Sequence, residues 1–529
     1  MATTSPYATA LALGRPKPSH VSDGFWNIDR VTAYGTYEDI WNNIPAAFAA
    51  LLRAGDDPKS RRYIPVVRGL IEGVNRYLAK DPEVSWTALP GATIDQASLD
   101  EFSGLVQTTL TREEFDIKFS GLKRWWLVKG DACLMISADP SKPEGTRLRI
   151  TEVPPDQYFP IEDPSDSERI LGVYLASIVQ DDDDNDIVQR IEFQRCLTQE
   201  RADQFKVPLG SVFYRLGFYE QDGWDDREGD DLKSVQPPSW VGQAADPAAD
   251  PLTGFALPAQ ITTIPVYHFR NNRRGGPNGR FGVSEIQGLE SLLAGAIQNA
   301  TDEDMAVALL GIGAYWTDSG RPRDAQGKEA EWELAPGTVL ELEKDGKIGK
   351  LEGVGSVQPM QDHLAYLKSA ARESSSIPEI AAGTVDPNVA ASGVALAIQF
   401  QPILSQNQEK ESELNSKLTQ MLYDLAQMWF PAYEGITPLQ VQPSLRFADP
   451  LPLDRAAALK EIIDMVTAKI IPISFAQQLI KERLGYDVPS DALQQVLQEQ
   501  TTILDAVGGR IAGGTDPNAA PNPNDPTVA

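Results

Sequence analysis

Histidine and cysteine are nearly missing from this chain. Its 529 residues include three histidines, His20, His268 and His363, and two cysteines, Cys133 and Cys196. Two thiols build no disulfide framework, which fits a reducing compartment. So few imidazoles, with no Cys–His pairing, leave zinc and nucleophilic chemistry little to work with. A Gly-x-x-x-x-Gly-Lys-Ser/Thr motif is also lacking, because Gly327-Lys328 runs into Glu329, so no P-loop cradles a nucleotide. No uninterrupted apolar run is long enough to span a bilayer, and Met-Ala-Thr-Thr-Ser-Pro carries neither the basic nor the apolar region of a signal peptide. The expectation is a soluble, unexported protein with no cofactor and no membrane partner. Positive charge is scarce too. Lys plus Arg is 47 against 75 Asp plus Glu, a net charge of −28, and the isoelectric point is about 4.5. Such a surface repels phosphate backbones, which excludes tight sequence-independent binding to nucleic acid.

What is present is a globular composition, 42% hydrophobic and 8% aromatic, over a length that predicts roughly three to five modules. Residues 1–24, rich in Pro, Gly and Ser, read as a flexible arm. From Pro65, the residues Val66, Leu70, Val74 and Leu78 make a helical stripe, which Asp81-Pro82 is expected to end. Leu127-Val128 and residues 133–136 flank Lys129-Gly130-Asp131-Ala132, a hairpin signal. Residues 147–151, 191–194 and 212–219 read as strands, so 120–220 is expected to be α+β with an antiparallel sheet. Residues 225–258, acidic and Pro/Ala-rich, read as a long loop.

From Val283, the residues Ile286, Leu289, Leu293 and Ile297 recur at helical spacing. A helix from there to Leu310 spans about 40 Å at ~1.5 Å per residue. Turns and short β runs fill 316–356, and Met360, Leu364, Leu367 and Ala371 restore the stripe, so the chain returns. A helix out, a small β module and a helix back make a protruding arm, which points to assembly and docking rather than turnover. After Pro378 comes a loop, and Ser392 could cap a helix whose stripe is Leu414, Leu418, Leu422, Leu425 and Trp429. Pro402 predicts a kink or break in it. Residues 452–506 predict two or three shorter helices, and the proline-rich tail after Gly508 is expected to be disordered.

Several passages carry a resemblance: Trp126-Leu127-Val128-Lys129-Gly130-Asp131-Ala132, Val153-Pro154-Pro155-Asp156-Gln157-Tyr158-Phe159-Pro160, Ile264-Pro265-Val266-Tyr267-His268-Phe269-Arg270-Asn271, Phe281-Gly282-Val283-Ser284-Glu285-Ile286 and Ser392-Gly393-Val394-Ala395-Leu396. None is a catalytic signature. In their order and spacing, with the helical arm, they resemble the portal proteins of tailed bacteriophages of the siphophage kind, over roughly residues 25–500. The resemblance implies a non-enzymatic dodecameric ring at one capsid vertex, assembled in the host cytoplasm and kept in the virion. It would be the channel for packaging and ejecting double-stranded DNA. Implied partners are the terminase large subunit, a head–tail connector protein, and the major capsid and scaffolding proteins. The implied fold is an α+β wing, two-helix stem, small β-rich clip, long kinked helix and α-helical crown. On this chain, 25–282 would be the wing, 283–311 and 357–378 the stem helices, and 312–356 the clip. The channel loop would be 379–392, the kinked helix 393–435, the crown 436–508 and the tail 509–529.

A pore wall that grips phosphates stalls DNA, because each neutralised phosphate adds affinity. The loop Thr384, Val385, Asp386, Pro387, Asn388 and Val389 holds no Lys or Arg, and Val385, Asn388 and Val389 are its expected DNA-facing tip. An ordinary helix–helix loop is the bland alternative. In the clip, Arg321, Arg323, Lys328, Lys344, Lys347 and Lys350 stand among glutamates. Mixed charge there suits a docking surface, with Trp316 and Trp332 as anchors or as the module's own core. Asp181-Asp182-Asp183-Asp184-Asn185-Asp186 invites a calcium reading, yet it lacks the glycine and closing glutamate of an EF-hand and reads better as a solvated hairpin loop. His268, in an apolar strand pattern, reads as structural. Two other readings remain open: another acidic phage structural protein, such as a baseplate or minor capsid component, or a hydrolase using Asp163 with Asp166 or Glu168.

Overall fold

The helical stripes and the period-two runs both form, and they build a mixed α and β architecture. The computed structural model describes residues 28–49, 51–53, 61–163, 166–220, 234–239, 241, 250–272, 281–311, 314–318, 345–351, 356–375, 377, 393–448 and 455–484. In chain order the helices used below are α1 (Ile28–Trp41), α2 (Val66–Tyr77), α3 (Gln96–Arg112), α4 (Phe115–Lys129), α5 (Gln199–Phe205), α6 (Glu290–Gly311), α7 (Gln358–Ser374), α8 (Gly393–Asp424), α9 (Arg455–Thr467) and α10 (Ile473–Leu484). The strands are β1 (Lys80–Ala88), β2 (Asp131–Ala138), β3 (Leu148–Val153), β4 (Tyr158–Asp163), β5 (Asp166–Gln180), β6 (Asp186–Arg195), β7 (Val212–Glu220), β8 (Phe255–Ala256), β9 (Val266–Arg270), β10 (Ala314–Thr317), β11 (Ile348–Leu351) and β12 (Val441–Ala448). The chain divides into two compact units, Met1–Pro450 and Leu451–Ala529.

In the first unit the strands pair as β4-β5-β6-β7-β8, β3-β2-β9, β1-β12 and β10-β11. Every pair among the described residues is antiparallel, as expected for 120–220. Part of the acidic stretch expected to be a loop is strand: β8 pairs with β7, and Ser234 bridges Tyr219.

Helix α4 buries Phe119, Leu122, Trp126 and Leu127 at helical spacing. The hairpin expected at 129–132 is therefore a helix-to-strand junction. Gly130 ends the helix at φ 88°, its N–H bonded to Trp126 O at 2.9 Å, a conformation that suits glycine. The helix expected to stop at Asp81-Pro82 stops at Tyr77 instead, with Ala79 at φ 44°. Residues 80–88 are the strand β1, paired with β12. Its register is irregular between Lys80 and Glu83, where Pro82 has no N–H to give. Residues 441–448, within the span expected to be helical crown, are thus strand.

Helix α8 continues through Pro402, so of the expected kink or break the break is absent. Pro402 and Ile398, four residues before it, are both exposed, so water can serve the carbonyl that proline leaves unbonded. The helix then widens into a π turn at Leu425–Trp429. Leu414, Leu418, Met421, Leu422 and Leu425 are buried, and Asn415 Nδ2 donates to Leu445 O of β12 at 3.3 Å.

Between β9 and α8 the arm departs. Its first helix begins at Glu290, not Val283, and its 22 residues span about 33 Å at ~1.5 Å per residue. Gly288 at φ 91° holds the preceding residues out of helix. Helix α7 returns antiparallel: Gly295 lies 3.6 Å (from an ideal Cβ) below Leu367 Cδ1, and Gln361 Nε2 donates to Glu303 Oε1 at 2.9 Å. At the far end β10 pairs with β11.

In the second unit α9 and α10 pack around Ile462 and Ala476, with Met465, Leu479 and Ile480 against them. The N-terminal arm at 1–24 and the tail at 509–529 lie outside the described residues.

Candidate functional site

Four of the quoted passages, far apart in sequence, meet where the arm leaves the body. At their centre is Asp131, the first residue of β2 and fully buried. Its carboxylate accepts from Tyr34 Oη of α1, from His268 Nε2 of β9 at 2.7 Å, and from Gly282 N at 2.8 Å. Three donors compensate a charge that burial alone would make costly. Backbone bonds stitch the same place together. Asn271 N donates to Gly130 O and Val283 N to Asn271 O, both at 2.8 Å, and Glu285 N to Leu127 O at 3.0 Å.

Around this knot lie two ionic clusters and an aromatic one. Glu285, carried on the stitched segment, receives Asn271 Nδ2 at 2.8 Å and Asn272 Nδ2 at 2.7 Å, and pairs with buried Lys410 of α8 at 2.8 Å. Lys129 pairs with Glu38 at 2.8 Å and Asp156 at 3.1 Å. Burial by itself would lower the Lys129 pKa, but the two carboxylates overcome it and hold it above its usual value. Arg30 stands 3.8 Å over the Phe281 ring, and the His268 ring lies between Tyr158 at 4.9 Å and Phe281 at 5.8 Å.

The groups that could do chemistry are pinned instead. Burial, then the Asp131 charge, pushes the Tyr34 hydroxyl and the Cys133 thiol well above their ordinary ranges. Burial lowers the His268 pKa although Asp131 pulls the other way, so the imidazole is neutral and donates its Nε2 proton to Asp131. His268 lies on β9, the strand its apolar pattern predicted, and is held by Asp131. A cavity of about 620 Å³ adjoins, lined by Glu38, Asp39, Trp125, Lys129, Glu152 and Asp156. Burial, then Glu38, raises the Asp39 pKa, and burial raises that of Glu152. The arrangement can clamp and orient.

One consequence is measurable. Because the folded pKa of His268 lies below its ordinary 6.5, the unfolded chain binds the extra proton first as pH falls. The stability that neutral His268 contributes is present above 6.5 and is lost as pH drops through that value towards the folded pKa. Raised carboxylates such as Asp424 act in the opposite sense, so the difference against a variant isolates the histidine. Between about pH 7.5 and 5, wild type should lose melting temperature more steeply than His268→Gln. Parallel profiles would show that His268 does not titrate this way.

Of the residues singled out in the sequence, Trp316 lies on β10 opposite Gly349, Lys347 directly precedes β11 and its carbonyl accepts from Asp318 N at 3.2 Å, and Lys350 lies on β11 opposite Tyr315. Trp316 lies across Gly349 and is 46% exposed, so it does not fill a core. Arg321, Arg323, Lys328, Trp332 and Lys344, and the loop residues Thr384, Val385, Asp386, Asn388 and Val389, lie outside the described residues. Asp163 and Asp166 are register partners at the β4–β5 turn, with Asp163 paired to Arg169 at 3.4 Å. The aspartate run is a hairpin loop. Asp181 accepts from the backbone of Asp183 and Asn185, and Asp182 from Ser239. Sequence reasoning missed Asp131, Tyr34, Glu285 and Lys410 as a set. Gly-Asp directly after an apolar helical stripe was the one local signal.

No family model matches the chain, and no curated protein matches it.

Proposed function

We propose that the chain is the subunit of a portal-type ring, a conduit for double-stranded DNA and not an enzyme. The observation that carries this reading is the arm. Two antiparallel helices with a β pair at their far end are inserted between β9 and α8, and the stitched passages around Asp131 hold their base. A rigid base suits a part that transmits load between copies and does not suit a lid or a binding loop that must open.

On this reading residues 379–392 face the channel, and an acidic wall lets the duplex slide because it releases few counterions. The tip with Trp316 and Lys347 meets the packaging motor, then the head–tail connector. The proposed virion location, at a capsid vertex, follows from the same role. With no P-loop in the chain, a separate ATPase supplies the energy.

Light scattering on the purified protein after size exclusion tests this. The expected mass is about twelve times 57.8 kDa, or that of a neighbouring ring size. Negative-stain images should show a central opening. A strict monomer at high concentration and in several salts would overturn the ring, and would favour another acidic phage structural component.

A further inference from the structure

A second cavity, of about 360 Å³, lies beside the junction and reverses the charge of the chain. Arg169, Arg195, Arg270 and Lys417 line it, while Asp166 is the one carboxylate in its described wall. These cations arrive from four separate elements, β5, β6, β9 and α8. Arg169 is 3.4 Å from Asp163, and Arg270 is 3.7 Å from Glu413. The Nε of Arg195 is buried without a hydrogen-bond partner, an arrangement that costs stability unless something occupies the cavity. Burial, then the like charge of Arg169, lowers its pKa, so the site is short of negative charge. In a protein of net charge −28, four cations around one cavity, with Arg270 buried and the Nε of Arg195 buried and unbonded, are a local reversal of charge.

We propose that this cavity binds a phosphoryl-bearing anion. Planar guanidinium forks match tetrahedral oxyanions through paired, charge-assisted hydrogen bonds, and Thr263 and Gln420 add neutral polar groups to the wall. Ile170, Ile264 and Val266 form an apolar side, which leaves room for a group esterified to the phosphate. Occupancy ties the five-stranded sheet to β9 and α8 by bridging cations from all of them. This inference holds for monomer and ring alike, so it stands or falls apart from the portal reading.

The test uses the full chain, at constant ionic strength, with inorganic phosphate, pyrophosphate and adenosine monophosphate in separate arms. Acetate is the control anion. Calorimetry should show saturable binding, and melting should shift upward with phosphate but not acetate. A tighter arm with the monophosphate points to an esterified ligand; equal affinities point to free phosphate. Arg195→Gln should weaken binding about tenfold or more, the worth of one charge-assisted hydrogen bond. Without ligand the same variant should melt no lower than wild type, because it removes a buried Nε that has no hydrogen-bond partner. Arg169→Gln, at an exposed position, is a second variant that should weaken binding if the first is misfolded. Exposed Arg76→Gln should change nothing. No saturable binding, equal shifts with acetate, or undiminished binding in both cavity variants would overturn the proposal.

Discussion

Alanine at Gly282 should destroy the junction. An ideal Cβ there would overlap Gly130 O and lie 2.5 Å from Asn271 N. Those two atoms are themselves hydrogen-bonded, at 2.8 Å, so the obstacle is backbone in a ladder and no rotamer change relieves it. The backbone must part instead, which also breaks the Gly282 N–H bond to Asp131. A loss above about 4 kcal/mol is expected, at the extreme end for single substitutions. Chemical denaturation reads it as a lowered midpoint, or the variant is recovered only as aggregate. Gly295→Ala is the matched control. In the middle of α6 its new methyl meets only Leu367, at 3.6 Å, and it should stabilise by up to about 1 kcal/mol through helix propensity. An unchanged midpoint for Gly282→Ala would mean that the close approach of these chains does not exist.

The second large effect is at Asp131. Alanine there leaves Tyr34 Oη, His268 Nε2 and Gly282 N facing a void with no acceptor. At about 1–3 kcal/mol for each stranded donor, partly relieved by relaxation, a total near 3–5 kcal/mol is expected. Asparagine keeps one acceptor oxygen but sets an amide donor among donors, so it should fall between wild type and alanine. The revealing comparison is the cycle with Tyr34→Phe, which removes one of the stranded groups. In the Asp131→Ala background the tyrosine change should cost much less than it does in wild type, because its partner has already gone. Additive losses in the two backgrounds would show that the pair is not coupled, and the knot would lose its centre.

How legible all this was depends on the range of the interactions involved. The returning helix α7 could be read from Leu364, Leu367 and Ala371, because a helix satisfies its backbone within itself and shows its buried face every three or four residues. The strands β6 and β7 could be read from alternation in one continuous stretch. Strand β12 also alternates, with Val441, Pro443 and Leu445 buried. Its partner β1 lies some 360 residues earlier and pairs Pro443 with Trp86, and no local pattern announces such a pairing. A proline in the run also argues against a strand unless the strand lies at an edge, and the β1–β12 pair has only edges. Gly130 misled for a related reason: glycine between two apolar runs suits a hairpin and a helix C-terminus equally well. The stripe of Phe119, Leu122 and Trp126 behind it decides for the helix.

By itself, the amino-acid order determined that this protein is acidic, mixed in helix and sheet, and poor in histidine and cysteine. It also determined that a β-containing module stands between an outgoing and a returning helix. These follow from charge count, residue chemistry and local periodicity, none of which needs a partner distant in the chain. Only the tertiary structure decided that Trp126–Ala132, Ile264–Asn271 and Phe281–Ile286 are parts of one knot, that Asp131 is its acceptor, and that four cations share a cavity. Those facts depend on which surfaces meet after the chain has folded. A carboxylate that becomes an anchor and one that stays solvated are the same residue until burial takes the water away.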